Sequence, residues 1–152
     1  MTDGISAGLI AGATMLAAEM VASTVLGASA LGPVRLFASI VLGPAALSRI
    51  YPLSTAVAVG VGVHLILSAL FGVVALQGLG RMGWLDAEPA RLLAGGAAYG
   101  ALLWAIDFLI VGWLVFPRFS VVSPVWNGVV PHVVFYGLVL GGYLALTRPR
   151  SG

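Results

Sequence analysis

The sequence predicts an all-α membrane protein: a bundle of four transmembrane helices with a short interfacial helix between the first two. Only 8% of the 152 residues are charged, 61% are hydrophobic, and the mean hydropathy is +1.11. A soluble domain carries about 25% charged residues, so this chain lacks the charge to cover a water-exposed surface. A soluble enzyme, a nucleic-acid-binding domain and a disordered regulator are therefore all but excluded. The lipid bilayer is the expected partner.

Four stretches are long and apolar enough to cross the hydrocarbon core, which takes about 20 apolar residues. They run over about 5–28, 53–76, 92–116 and 125–146. Little sequence is left for an extramembrane domain, so residues 1–152 are expected to form a single membrane domain. The start of the chain lacks the positively charged segment of a cleavable signal peptide, so the first stretch is expected to stay as a span.

The connection between the first two spans, 31–50, is the longest. Within it, a Gly-Pro pair stands on each side of an apolar stretch over 34–42, which is too short to cross a membrane. We expect an interfacial or re-entrant helix here, with Arg35 and Arg49 reaching the lipid headgroups.

Arginine positions predict the orientation, since the chain has no lysine. Four spans place both termini on one side, and the last two spans are joined by a tight turn at 117–124 on the other. Loops with more arginine face the cytoplasm. The terminal side carries four arginines against three, which predicts cytoplasmic termini. The two sets are Arg81, Arg91, Arg148 and Arg150, and Arg35, Arg49 and Arg118.

The spacing of small and polar residues indicates an internal duplication. Two glycines and an acid recur in spans one and three with an offset of 88. A glycine, a histidine and a hydroxyl residue recur in spans two and four with an offset of 68. The sequence therefore predicts two copies of a two-helix unit, 5–76 and 92–146, related by a pseudo-two-fold axis along the membrane normal. The matches are Gly8 with Gly96, Gly12 with Gly100, Glu19 with Asp107, Gly60 with Gly128, His64 with His132, and Ser68 with Tyr136.

Four ionisable residues fall inside the spans, one on each: Glu19, His64, Asp107 and His132. All four lie roughly 12–17 Å from the side of the tight turn, at 1.5 Å per residue. Ionisable side chains inside a membrane are costly and usually face a partner or water. A carboxylate beside an imidazole lowers that cost, because each stabilises the charged form of the other. We expect a buried polar centre of two pairs, Glu19 with His64 and Asp107 with His132.

Three further residues are expected to support this centre, namely Ser68, Tyr136 and Asn127. Ser68 and Tyr136 each lie one helical turn past a histidine and bring a hydroxyl group. Pro131 removes the backbone hydrogen bond to the carbonyl of Asn127 and is expected to kink the fourth helix there.

The residues leave four interpretations of the centre open. The first is a structural lock of two acid–histidine pairs, which needs no cofactor. The second is a transition-metal site with Glu19, His64, Asp107 and His132 as ligands. The third is a haem b held by His64 and His132. The fourth is a proton or substrate pathway through a small transporter.

Short motifs along most of the chain carry a family resemblance. They are Tyr99-Gly100-x3-Trp104-x2-Asp107-Phe108, Phe116-Pro117-x-Phe119 and His132-x3-Tyr136-Gly137. With them the chain resembles a group of small four-helix bacterial and archaeal membrane proteins of unknown function, some of which are labelled sodium:proline symporters. The resemblance implies the four-helix architecture and a bacterial or archaeal cell membrane, with no defined activity. Asparagine is frequent in that group at the position of Asp107, which implies a hydrogen-bonding role there.

Taken together, these observations predict a non-enzymatic integral membrane protein. It is expected to act as an accessory or structural subunit of a larger complex or homo-oligomer, with a buried acid–histidine centre. A metal- or haem-binding redox subunit and a small proton- or ion-coupled transporter, acting as an oligomer, are the alternatives.

Overall fold

The structure is a computed structural model that describes residues 2–85, 88–116 and 125–147. These residues form helices joined by turns, with no strand among them, which confirms the predicted all-α class. The helices are α1 (Thr2–Val25), α2 (Gly32–Leu42), α3 (Leu53–Arg81), α4 (Pro89–Leu114) and α5 (Pro131–Thr147). Short 3-10 turns at Pro44–Leu47 and Val125–Gly128 precede α3 and α5. The predicted tight turn at 117–124, with Arg118, and the C-terminal Arg148 and Arg150 lie outside the described residues.

Three of the described helices, α1, α3 and α4, are long and apolar enough to cross a membrane. The fifth helix, α5, is apolar but shorter. The predicted interfacial stretch forms α2, in which Val34 and Ala38 are buried. A second small core holds Ala38 against Ala46 and Ala56, so α2 is packed on the start of α3.

The connection between α3 and α4 is shorter than predicted. The sequence places the end of the span near residue 76, whereas α3 continues through Arg81. The reason is that Leu79 is buried in the main core and Trp84 packs against the same core, so apolar contacts hold the extra turn. Helix α4 then begins at Pro89, a position where the missing N–H of proline costs nothing.

Helices α1, α3, α4 and α5 pack as two pairs, each made of helices that are near each other along the chain. Helix α1 packs along α3, and α4 packs along α5. The two pairs meet mainly where α1 lies along α5, while α3 and α4 touch only sparsely. The inter-pair contacts are therefore unequal, which a strict two-fold arrangement would not produce.

Within each pair, the helices approach most closely at a glycine. A Cβ atom added at Gly8 of α1 would overlap the carbonyl oxygen of Ser68 on α3. A Cβ added at Gly96 of α4 would overlap the carbonyl oxygen of Gly137 on α5 in the same way. The backbones touch at both places because no side chain separates them.

A second close approach recurs in both pairs, at a spacing between α3 and α5 that differs from the predicted one. A Cβ at Gly72 would overlap the carbonyl oxygen of Gly4, and one at Gly141 would overlap that of Leu92. The α3 and α5 residues in these contacts are 69 positions apart, one more than the predicted 68. The π-helical segment Pro131–Leu138 explains the slip, because a π turn holds one extra residue. By contact, Ser68 therefore matches Gly137 and not Tyr136.

Arg35 does not extend away from the protein. Its guanidinium donates hydrogen bonds to the carbonyl oxygens of Ala46 and Ser48, at 3.0 and 2.8 Å. It therefore ties α2 to the turn that leads into α3. Arg49 is exposed.

Candidate functional site

A partly open cavity of about 640 Å³ lies between the helices, and we call it the chamber. All five helices contribute to its wall, and the four predicted ionisable residues all line it: Glu19 from α1, His64 from α3, Asp107 from α4 and His132 from α5. The predicted supporting residues Ser68, Tyr136 and Asn127 line it as well. Most of the remaining wall is apolar. The sequence therefore identified the polar part of the chamber, although it gave no sign of the empty volume between these residues.

Asp107 and His132 form the predicted acid–histidine pair. The His132 Nε2 atom lies 3.3 Å from the Asp107 Oδ2 atom. His132 is buried, and the Asp107 side chain is about one-third exposed, 32%. The edge of the Phe108 ring lies against the imidazole, with 5.8 Å between ring centroids.

The hydrogen bonds of His132 indicate which of its ring nitrogens carries a hydrogen. Its Nδ1 atom lies 2.8 Å from the carbonyl oxygen of Gly128. A carbonyl oxygen only accepts, so Nδ1 carries a hydrogen. The Nε2 atom faces the Asp107 carboxyl group, which can accept from an imidazolium or donate to a neutral imidazole.

His64 has a different partner from the one predicted. Its Nε2 atom donates to the carbonyl oxygen of Gly12, at 2.9 Å, and its ring lies 4.4 Å from the ring of Phe37, centroid to centroid. The predicted pair of Glu19 with His64 is therefore not formed. The reason is steric, since close packing of α1 on α3 at Gly12 puts a backbone carbonyl at the imidazole before a side chain reaches it.

Glu19 differs from the other three ionisable residues of the polar centre, because one of its carboxyl oxygens has no hydrogen-bond partner in the described residues. Its Oε2 atom is buried and has no hydrogen-bond partner in the described part of the chain. The carboxyl group interacts electrostatically with His132 of α5, which belongs to the other helix pair. Buried polar atoms are nearly always hydrogen-bonded, so an unpartnered carboxyl oxygen at a cavity wall indicates a place for a proton or a ligand.

Both members of the Asp107–His132 pair lie on π-helical backbone. Asp107 is in the segment Ala105–Val111 of α4, and His132 is in Pro131–Leu138 of α5. A π turn changes the direction in which side chains point and is frequent at functional sites. The predicted effect of Pro131 on α5 thus takes the form of a 3-10 turn followed by a π segment, because proline supplies no N–H to a regular helix.

Two tyrosines tie α3 to the second helix pair. The Tyr136 hydroxyl donates to the Ser68 carbonyl oxygen at 2.7 Å, and the Tyr99 hydroxyl donates to the Phe71 carbonyl oxygen at 2.8 Å. The hydroxyl of Tyr136 is therefore used between helices. Asn127 is exposed, at the end of the chamber.

The predicted cofactor geometries do not match this arrangement. No group of three or more His, Asp or Glu side chains in the described ranges is placed to hold a metal ion. Both histidine Nε2 atoms face protein partners, Gly12 for His64 and Asp107 for His132. A bis-histidine haem needs a ring nitrogen of each for the iron, so both bonds would have to break.

Sequence reasoning missed the part of the wall that α2 supplies. Phe37 of α2 faces the chamber beside His64, and Pro33 and Ile40 line it too. An aromatic residue in the middle of a stretch read as interfacial was the one available signal. Tyr99 was also missed as a helix-bridging donor.

No family model, curated protein or solved structure matches this chain. The resemblance to small four-helix membrane proteins therefore stays a prediction, and the site alone bears on function.

Proposed function

We propose that this chain is a non-enzymatic integral membrane protein of four spans that binds a small molecule in the chamber in exchange for a proton, as a small transporter or its binding subunit does. The observation that carries the proposal is the unpartnered Oε2 atom of Glu19 at the wall of a 640 Å³ cavity. Ligand pockets are apolar cavities of roughly 300–1,000 Å³ with a few polar groups, which describes the chamber.

The fourth span is supported by the helical backbone in front of α5. The turn Val125–Gly128 leads directly into it, so helical residues run from 125 to 147. At 1.5 Å per residue this length is about 34 Å, enough for a hydrocarbon core of about 30 Å. Together with the three long apolar helices, this length supports four spans. The arginine distribution and the family resemblance add the proposal that both termini lie on the cytoplasmic side of a bacterial or archaeal cell membrane.

The matched close approaches support an origin by duplication. Gly8 on Ser68 repeats as Gly96 on Gly137, and the offset of 88 between α1 and α4 is the one read from the sequence. The unequal contacts between the pairs indicate that the copies diverged in how they face each other. Association into a homo-oligomer or a larger membrane complex remains a prediction.

A purely structural lock is the second candidate, and specific bonds favour it. The bond from His64 to Gly12 ties α1 to α3, and that from His132 to Asp107 ties α4 to α5. However, a lock does not require a carboxyl oxygen without a partner at the wall of a cavity. Glu19 and the chamber therefore favour the binding role.

The chain contains no cysteine, so single cysteines test whether the chamber is open. Leu103 and Leu140 are both buried in the main core, at 5% and 0% exposure, but only Leu103 lines the chamber. We expect a small neutral methanethiosulfonate to label Leu103→Cys in membranes and to leave Leu140→Cys unlabelled. Equal protection of both cysteines would favour the closed lock and contradict the proposal.

The same background tests the four-span topology. Ser29 lies in the exposed connection after α1, and Thr147 at the end of α5 is exposed too. Four spans place these residues on opposite sides of the membrane. A membrane-impermeant maleimide added to intact cells should therefore label Ser29→Cys and not Thr147→Cys. Labelling of both from outside would contradict it.

A further inference from the structure

The charge of the chamber wall indicates what kind of ligand fits it. The described wall carries two acidic and two basic side chains. The acids are Glu19 and Asp107, and the bases are the imidazoles of His64 and His132. No arginine is among the described lining residues, and the chain has no lysine. Arg35 of α2 is held by backbone carbonyl groups at the turn before α3.

These four groups leave an excess of negative charge when both acids are ionised. A protonated His132 supplies one positive charge, and both Asp107 and Glu19 lie near it. The Nε2–H group of His64 is used on Gly12, and a neutral imidazole satisfies that bond. One of the two carboxylates is then left without a counter-charge inside an apolar wall. A proton or a cation supplies it, whereas an anion would add to the repulsion.

Aromatic rings surround the same space. Five of them line the chamber: Phe37, Phe71, Phe108, Phe116 and Tyr136. The face of an aromatic ring attracts a cation electrostatically, and such cages recognise ligands with an ammonium group. The rest of the wall is aliphatic, which suits an apolar body and not a small hydrated metal ion.

We propose that the chamber binds a lipophilic organic cation, whose apolar groups lie among the aromatic rings and whose positive charge is balanced by the Glu19 carboxylate. This inference rests on the proposed function and names its ligand class. When the cation enters, the Glu19 carboxylic acid releases its proton to the medium and becomes the carboxylate that pairs with the ligand. The charge inside the bundle is then the same before and after the exchange.

Tetraphenylphosphonium and tetraphenylborate test the charge directly, because the two ions have the same shape and opposite charge. We expect the detergent-purified protein to bind the phosphonium in a saturable manner by equilibrium dialysis, and not the borate. Glu19→Gln should weaken phosphonium binding about tenfold or more, the effect of losing a contact with a buried charge. Glu88→Gln, at an exposed acid outside the chamber, should bind as the unchanged protein does.

Proton release provides a measurement that needs no variant. In weakly buffered solution, the phosphonium should release protons from the unchanged protein as it binds, and the borate should release none. Equal binding of both ions, phosphonium binding unaffected in a folded Glu19→Gln protein, or no phosphonium binding would each overturn the inference. If Leu103→Cys is labelled while the phosphonium does not bind, the chamber stands and only its ligand class is wrong.

Discussion

The two helix pairs share a way of packing and differ in their polar chemistry. In both, a glycine on the first helix touches a backbone carbonyl on the second, at Gly8 and at Gly96. In the second pair, π-helical backbone carries both Asp107 and His132, which bond to each other. In the first pair, regular α-helices carry Glu19 and His64, which do not. The comparison teaches that the acid and the histidine on irregular backbone bond to each other, while on regular backbone the Oε2 atom of Glu19 is left without a partner in the described residues.

The first prediction follows from the packing that both pairs share, and it concerns the largest expected change in the free energy of unfolding. Gly8→Ala and Gly96→Ala each put a methyl group onto a backbone carbonyl that has no room to move. We expect each to lower the free energy of unfolding by up to about 3 kcal/mol, as overpacking does. Thermal unfolding in one detergent measures this.

Gly62→Ala is the matched control, because nothing lies within 4 Å of a Cβ at that helical position. It should leave the melting temperature unchanged or raise it, since alanine favours helix. If only one of the two pairs loses stability, the claim that both pairs pack alike is broken.

The polar difference predicts unequal effects of removing the two acids. Asp107→Ala leaves the buried Nε2 atom of His132 without its partner, which costs about 1–3 kcal/mol. Glu19→Ala removes a carboxyl oxygen that has no partner in the described residues, so we expect no loss of stability. The same melting experiment compares them.

Asp107→Asn sharpens that comparison, because its amide still hydrogen-bonds to His132. It should recover most of the stability that Asp107→Ala loses. If Glu19→Ala destabilises as much as Asp107→Ala, Glu19 has a structural partner and the contrast between the pairs fails.

The smallest expected effect concerns one of the two tyrosine hydrogen bonds that join the helix pairs. Tyr136→Phe removes the hydroxyl that donates to the Ser68 carbonyl oxygen and keeps the buried ring. We expect a loss of about 1 kcal/mol, the net value of one hydrogen bond. Tyr143→Phe is the control, since Tyr143 is packed against the same core and lacks that bond. Equal melting of the two variants would show that the bond between the pairs contributes nothing.

Much of the fold follows from the sequence because apolar length and composition are visible in it. The all-α class and the short helix at 34–42 were predicted from these, and three of the four predicted spans are long apolar helices in the described residues. The end of α3 was not, because burial of Leu79 depends on a tertiary contact. The extra residue in the π segment of α5 was also hidden, since a register slip leaves composition unchanged.

The sequence predicted which ionisable residues lie in the polar centre. It predicted only one of the two hydrogen-bonded pairs, Asp107 with His132. Counting residues along the spans put Glu19, His64, Asp107 and His132 at a common depth, and all four line the chamber. Which acid meets which histidine depends on helix rotation and backbone approach, as the Gly12 carbonyl at His64 shows. Spacing along one chain does not contain that information.

The most direct test of the unpartnered carboxyl oxygen of Glu19 is the reaction of this residue with dicyclohexylcarbodiimide in membranes, mapped by peptide mass spectrometry. This apolar reagent modifies protonated carboxylic acids in apolar surroundings. An adduct on Glu19, with Asp107 protected by its bond to His132, is the result that we predict. Adducts on Asp107 in preference to Glu19, or on neither residue, would contradict the account.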